Sequence, residues 1–157
     1  RQYSLINIYK HHEWIVEQSE DPQVKMFGIS IHTGKTKPKD STIVPFIDIG
    51  VCGLTSIDLI NRNAEFSLYV IPEHQRVGYG KKALDLLLRH GFQDMGLERI
   101  WGETFDGNPA GKMFESMGMK KEGTQRKSYY RNGSFIDSHI YAVLKDEYLK
   151  KRSIKIV

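Results

Sequence analysis

"PEHQRVGYGKKALDLLL", residues 72–88, places two glycines and three cations directly ahead of a leucine-rich stretch. Leu84, Leu87, Leu88, Phe92 and Met95 recur at spacings of three and four, which predicts an amphipathic helix beginning near Lys81 and ending around Gly96. No Ser, Thr, Asp or Asn stands where an N-cap is expected; Gly78 and Gly80 stand there instead. Lys81 and Lys82 add positive charge at the positive end of the helix dipole, a placement that typically costs about 0.3–1 kcal/mol each if nothing compensates. Bare amides, glycines that admit close backbone approach, and clustered cations together describe an anion site, most simply one for phosphate. A Gly-containing loop followed by ordinary solvated lysines is the plainer account of the same residues.

Working outward, "AEFSLYVI" (64–71) before the loop reads as a strand, as do "KMFGISI" (25–31), "FIDIGVCGLTSI" (46–57) and "RIWGETF" (99–105). The first 20 residues, with "HHEWIVEQ", suggest a helix, and the polar, Gly- and Pro-punctuated residues 32–45 a long inserted loop. Asn108 is a good N-cap with Pro109 following, so "NPAGKMFESM" is expected as a short helix stopped by Gly118. Asn132–Gly133 is the favoured two-residue turn of a hairpin. Strands and helices in this order imply a mixed sheet covered by helices.

At 157 residues the chain is expected to form one domain spanning 1–157, with a basic tail at 149–157. No run approaches a membrane span, and no secretory signal opens the chain, although Arg1 is not a Met and a preceding segment stays open. Cys52 is the sole cysteine and lies in the apolar run "IGVCGLT". It is read as a small buried hydrophobe, and its solitude fits a reducing compartment, the cytoplasm. The six histidines lack metal-ligand spacing, so no metal is expected. The net charge of +4 is mild, and without a basic ridge interleaved with aromatics no nucleic-acid partner is expected.

"GYGKKA" (78–83) formally fits the G-x-G-x-x-A dinucleotide fingerprint. The fit fails in context, because "PEHQRV" separates the loop from its strand and Glu98 precedes the next strand rather than ending it. No Walker lysine follows either. The run "AEFSLYVIPEHQRVGYGKKAL", with "RIWGETFDGNPAGKMFESMGM" after it, resembles instead the GNAT superfamily of acetyl-CoA-dependent N-acetyltransferases, whose signature Gln/Arg-x-x-Gly-x-Gly/Ala is filled by Gln75, Arg76, Gly78 and Gly80. The similarity covers roughly residues 46–148 and lies nearest the ribosomal-protein alanine and spermidine N-acetyltransferase branches.

The resemblance implies an α/β fold with a mixed, mostly antiparallel sheet flanked by helices, and a loop whose amides hold the pyrophosphate of coenzyme A. It implies cofactor contacts from Tyr69, Val70 and Ile71 along the strand, from Gln75, Arg76, Val77, Gly78, Tyr79, Gly80 and Lys81 in the loop, and from Asn108 and Phe114 on the second helix. Acetyl transfer to an amine needs a base, because most amines are cationic at pH 7. Strand alternation sets Glu65, Ser67, Tyr69 and Ile71 on one face, and Glu65 is the first candidate, with Glu103 on the next strand second. Two departures stand out. The family's acidic tyrosine is Phe114 here, so Tyr129, Tyr130, His74 or solvent would have to return a proton to the thiolate. The interval from Asn108 to Phe114 is one residue short, so Asn108 is either a cofactor contact or only a helix cap.

The expected activity is acetyl transfer from acetyl-CoA to a primary amine by direct attack, a protein N-terminus being slightly preferred over a polyamine, an amino sugar or another small amine. A non-catalytic acyl-CoA-binding module is the rival from another class. No membrane partner is expected, and a homodimer stays open.

Overall fold

The computed structural model describes residues 20–32 and 46–153; the helix expected in the first 20 residues and nearly all of the 32–45 loop lie outside them. Six strands form one sheet in the order β1-β2-β3-β4-β6-β5. They are β1 (Lys25–His32), β2 (Phe46–Asp58), β3 (Asn63–Val70), β4 (Arg99–Phe105), β5 (Lys120–Arg131) and β6 (Ser134–Leu144). The helices are α1 (Tyr79–Arg89), α2 (Ala110–Met117) and α3 (Lys145–Ser153). The fold is α/β, and every strand pairing is antiparallel except β3 with β4.

Alternation decides which face each strand buries. Ala64, Phe66 and Val70 of β3 are buried while Asn63, Glu65, Ser67 and Tyr69 are not; on β4 Ile100, Gly102 and Thr104 are buried while Arg99, Trp101, Glu103 and Phe105 are not. Ala64, Phe66 and Ile100 of this set meet the apolar side of α1 (Ala83, Leu84, Leu87, Leu88) and of α2 (Phe114, Met117) in one cluster. Phe66 approaches so closely that a Cβ on Gly102 would lie 2.4 Å from its ring; the glycine is what lets β3 and β4 share this layer. Cys52 is buried in the same cluster and burial pushes its thiol up, as a small hydrophobe requires.

Asn132 and Gly133 turn between β5 and β6 with φ of 50° and 82°, both positive as a type I′ turn demands. Two expectations at helix ends change. The helix expected to reach Gly96 is α-helical only to Arg89 and continues as a π turn over His90–Asp94. Met95 N–H donates to the His90 carbonyl at 3.1 Å, and Phe92 is thereby brought into full burial. Of the basic tail expected at 149–157, residues 154–157 lie outside the described residues, and 149–153 form the second half of α3. Asp146 and Glu147 sit in its first turn and Lys150, Lys151 and Arg152 in its last, the order the helix dipole favours. Tyr148 packs its ring 5.3 Å from Phe92, and Arg152 Nη1 lies 3.0 Å from each carboxylate oxygen of Asp85 on α1.

Candidate active site

The parallel pairing of β3 with β4 covers only Asn63–Arg99, Ala64–Ile100 and Glu65–Trp101. Beyond those pairs both strands run on without pairing each other, β3 to Val70 and β4 to Phe105, so the sheet is split at its centre. The ladder with β2 fixes which backbone groups line the split. Ile71 N–H donates to the Ile49 carbonyl at 2.9 Å, within the register that sets Val51 opposite Tyr69. Hydrogen-bonding direction alternates along an antiparallel strand, so Tyr69 and Ile71 also turn their main-chain groups to β2, while Phe66, Leu68 and Val70 turn theirs to the split. Of Tyr69, Val70 and Ile71, the residues expected to present backbone to the cofactor, Val70 turns its main-chain groups to the split. Its carbonyl already accepts from Gln75 Nε2 at 2.7 Å. Leu68, not among the expected cofactor contacts, turns its main-chain groups to the split as well.

At the top of the split the chain passes through a 3-10 turn (Pro72–His74) and Arg76, at φ 62°, into Gly78 at φ 96°. Gly78 is the N-cap of α1 and no side chain caps the helix, so the amides at its start have no side-chain acceptor. A Cβ on Gly78 would meet nothing within 4 Å; the glycine is there for its left-handed backbone, and the space before the helix is open. A Cβ on Gly80 would meet only Leu68 Cδ2 at 3.7 Å, Val70 Cγ2 at 3.8 Å and Met113 Sδ at 3.9 Å, ordinary contacts that an alanine would also make. Val77 is exposed at the rim. Lys81 reaches sideways, its Nζ 3.0 Å from Ser116 Oγ on α2.

On the face away from the helices, Glu65, Trp101, Glu103 and Phe105 line up across the split. Tyr129 joins them from β5, its hydroxyl 3.3 Å from Glu103 Oε2 and its ring 6.4 Å from Phe105. A register shift between Gln125 and Tyr129 delivers it there; Lys127 at the shift is left-handed (φ 54°), its N–H donating to Asp137 Oδ1 at 2.8 Å. The three candidate catalytic groups therefore share one face. Asn108 lies just ahead of α2, and its Oδ1 accepts from the Ala110 amide at 3.0 Å. Phe114 is part of the core, 4% exposed, edge-on to Phe66 at 5.0 Å and 5.6 Å from Tyr141.

Thr104 was not anticipated. It lies on β4 beyond the segment paired with β3, buried on the helix side, and its Oγ1 has no hydrogen-bond partner among the described residues. A buried hydroxyl without a partner costs about 1–3 kcal/mol. With the uncapped α1 start and the main-chain groups of Leu68 turned outward, it forms a row of polar groups short of partners along the path a pantetheine arm would take, and these residues fit coenzyme A. Among the described residues no group of three or more His, Cys, Asp or Glu could hold a metal ion, and no helix is long and apolar enough to cross a membrane.

A split parallel pair roofed by a glycine loop and an uncapped helix is the arrangement the loop motif implied. A family model described as an acetyltransferase (GNAT) domain matches residues 5–120, and the chain belongs to that family. Among curated relatives, the uncharacterized N-acetyltransferase YoaA of Bacillus subtilis is 34% identical over 98 residues, 62% of this chain and 55% of its own length. A spermidine N(1)-acetyltransferase of Vibrio cholerae is 30% identical over 104 residues, 66% of this chain and 60% of its own. The match thus spans less than two thirds of either relative. The solved Vibrio cholerae spermidine N-acetyltransferase in complex with CoA and spermine shares the fold, with a TM-score of 0.79 at 23% identity over 94% of this chain and 81% of that one.

Proposed function

We propose that this protein transfers an acetyl group from acetyl-CoA to a primary amine by direct attack, without an acyl-enzyme. The observation that carries the reading is the split itself: a cleft with an uncapped helix start above it and Glu65, Glu103 and Tyr129 gathered on its far face. Acetyl-CoA supplies the activated acyl group. The amides at the start of α1 bind its pyrophosphate, and Leu68, Val70 and Thr104 orient the arm between the strands. Glu65, beside the point where the strands part, takes a proton from the incoming ammonium directly or through water. Glu103 holds a second cationic site two residues along β4, with Tyr129 fixing its carboxylate. As the new C–N bond forms and the C–S bond breaks, solvent returns a proton to the thiolate, because Phe114 has none to give and lies in the core.

Two carboxylates on one open face favour an acceptor bearing positive charge. A spermidine N(1)-acetyltransferase and a putative ribosomal N-acetyltransferase, YdaF of Bacillus subtilis, are both among the relatives, and the carboxylate pair favours a polyamine-like amine over a peptide N-terminus, the acceptor preferred from sequence.

The test is thiol release from acetyl-CoA against spermidine, other small amines and short peptides, with acetyl-CoA affinity measured in parallel. Acceptor-dependent release is expected, with Glu65→Gln lowering kcat about 100-fold while acetyl-CoA affinity is kept. Binding with no release across the panel would instead make the chain an acyl-CoA-binding module, and absence of binding would sink the reading.

A further inference from the structure

Beside the acetyl-transfer site lies a second cleft of about 450 Å³, between α1, α2 and α3, lined by Lys81, Lys82, Asp85, Ser116, Met117, Tyr148, Lys151 and Arg152. Its charge is one-sided. Asp85 is the only acid on the wall, and its carboxylate is already bound by Arg152 at 3.0 Å from both oxygens and by the Tyr148 hydroxyl at 3.2 Å. Lys81, Lys82 and Lys151 remain without a carboxylate partner among the described residues.

Two of these ammonium groups rest on neutral oxygens of one residue. Lys81 Nζ lies 3.0 Å from Ser116 Oγ and Lys151 Nζ 2.7 Å from the Ser116 carbonyl. Stem packing holds Lys151 in place, its Cδ being 3.1 Å from where a Cβ on Gly118 would stand. A cation on the last turn of α2 satisfies a helix-end carbonyl, which accounts for Lys151 alone. It does not account for Lys81 and Lys82 meeting it across the cleft, where like charges raise one another's energy. Each ammonium carries three donors, so every one retains hydrogens to offer.

We propose that this cleft binds a phosphate monoester, whose dianion answers the surplus of positive charge left once Asp85 and Arg152 neutralise each other. Lys81 lies in the first turn of α1, at the end of the loop proposed to hold pyrophosphate, so the cleft is continuous with that site. Two sources carry this chemistry: the 3′-phosphate of coenzyme A itself, which rests on the acetyl-CoA reading above, or a separate phosphorylated small molecule, which does not.

The experiment measures, by calorimetry, affinities of coenzyme A and dephospho-coenzyme A for wild type, Lys82→Ala and Lys151→Ala, with melting temperatures taken with and without millimolar inorganic phosphate. Lys82 has no ion-pair partner among the described residues to lose, so its variant stays informative if Lys151→Ala loosens α3. A preference of about tenfold for coenzyme A over its dephospho form in wild type, abolished in both variants, supports the proposal and names the cofactor as the source. Equal affinity for the two coenzymes, together with a phosphate-induced rise in melting temperature in wild type that both variants lose, supports a separate phosphorylated ligand. Equal affinity and no phosphate effect overturns the proposal. If neither coenzyme binds, acetyl transfer fails as a reading and the phosphate arm alone decides the cleft.

Discussion

Thr104 concentrates the conflict between stability and use. Its hydroxyl is buried with no partner among the described residues, a cost that a bound molecule would offset. Replacing it with valine removes the orphaned oxygen at little change in shape. Thr104→Val is therefore expected to stabilise the ligand-free protein by about 1 kcal/mol, a rise of a few degrees in melting temperature, and to weaken acetyl-CoA binding several-fold. Differential scanning calorimetry with and without acetyl-CoA reads both; a variant less stable and unchanged in affinity would return Thr104 to ordinary core. Sequence could not single this threonine out, because nothing in "RIWGETF" says which side of the strand the helices cover. Glu65 and Glu103 were visible, since a carboxylate in an apolar strand stands out from its neighbours. For Phe114 the place in a motif was readable and the burial between Phe66 and Tyr141 was not.

At the scale of the element, the loop from Gln75 to Gly80 is where sequence spoke most clearly. The absence of a capping side chain is a local property, and α1 begins uncapped as expected, though at Tyr79 rather than Lys81. The two glycines have different reasons, and substitution separates them. Gly78→Ala forces a Cβ into a left-handed backbone and is expected to cost about 1–2 kcal/mol. Gly80→Ala meets only contacts of 3.7 Å or more and is expected to cost little. Chemical denaturation of the two variants checks the pair, and equal losses would mean that the loop's geometry is misjudged. The direction of backbone hydrogen bonds along β3 was beyond local reading. It depends on which pairs with β2 are bonded, a fact of register between distant segments, so the turning of Leu68 and Val70 to the split and of Tyr69 and Ile71 to β2 could not be read locally. The helical state of residues 149–153 was hidden likewise, because α3 gains its place through Tyr148 against Phe92 and Arg152 against Asp85, partners far away in sequence.

For the whole molecule, a mixed, mostly antiparallel sheet flanked by helices was legible from the run of elements and the resemblance, while the strand order β1-β2-β3-β4-β6-β5 was not. The break inside that sheet was foreseen only as a place for the cofactor, through the resemblance. Its mechanical meaning is new. Among the described residues, three residue pairs join the ladder of β1–β3 to the ladder of β4–β6, with the Arg62 carbonyl accepting from the Glu98 and Arg99 amides at the start of the seam; beyond it the halves share packing against α1 and α2. The molecule is in this respect two small sheets with a short seam, and a pantetheine arm lying in the gap acts as a surrogate strand that completes the zipper. Coenzyme A at 100 times its Kd is then expected to add about 2.7 kcal/mol to global stability, and to slow amide exchange first at 66–70 and 102–105, before any effect reaches the β5–β6 hairpin. Exchange measured with and without coenzyme A would reveal the seam closing. Uniform slowing over all strands would mean that the two halves already behave as one body, and that the donor substrate is a guest of the fold rather than its missing rung.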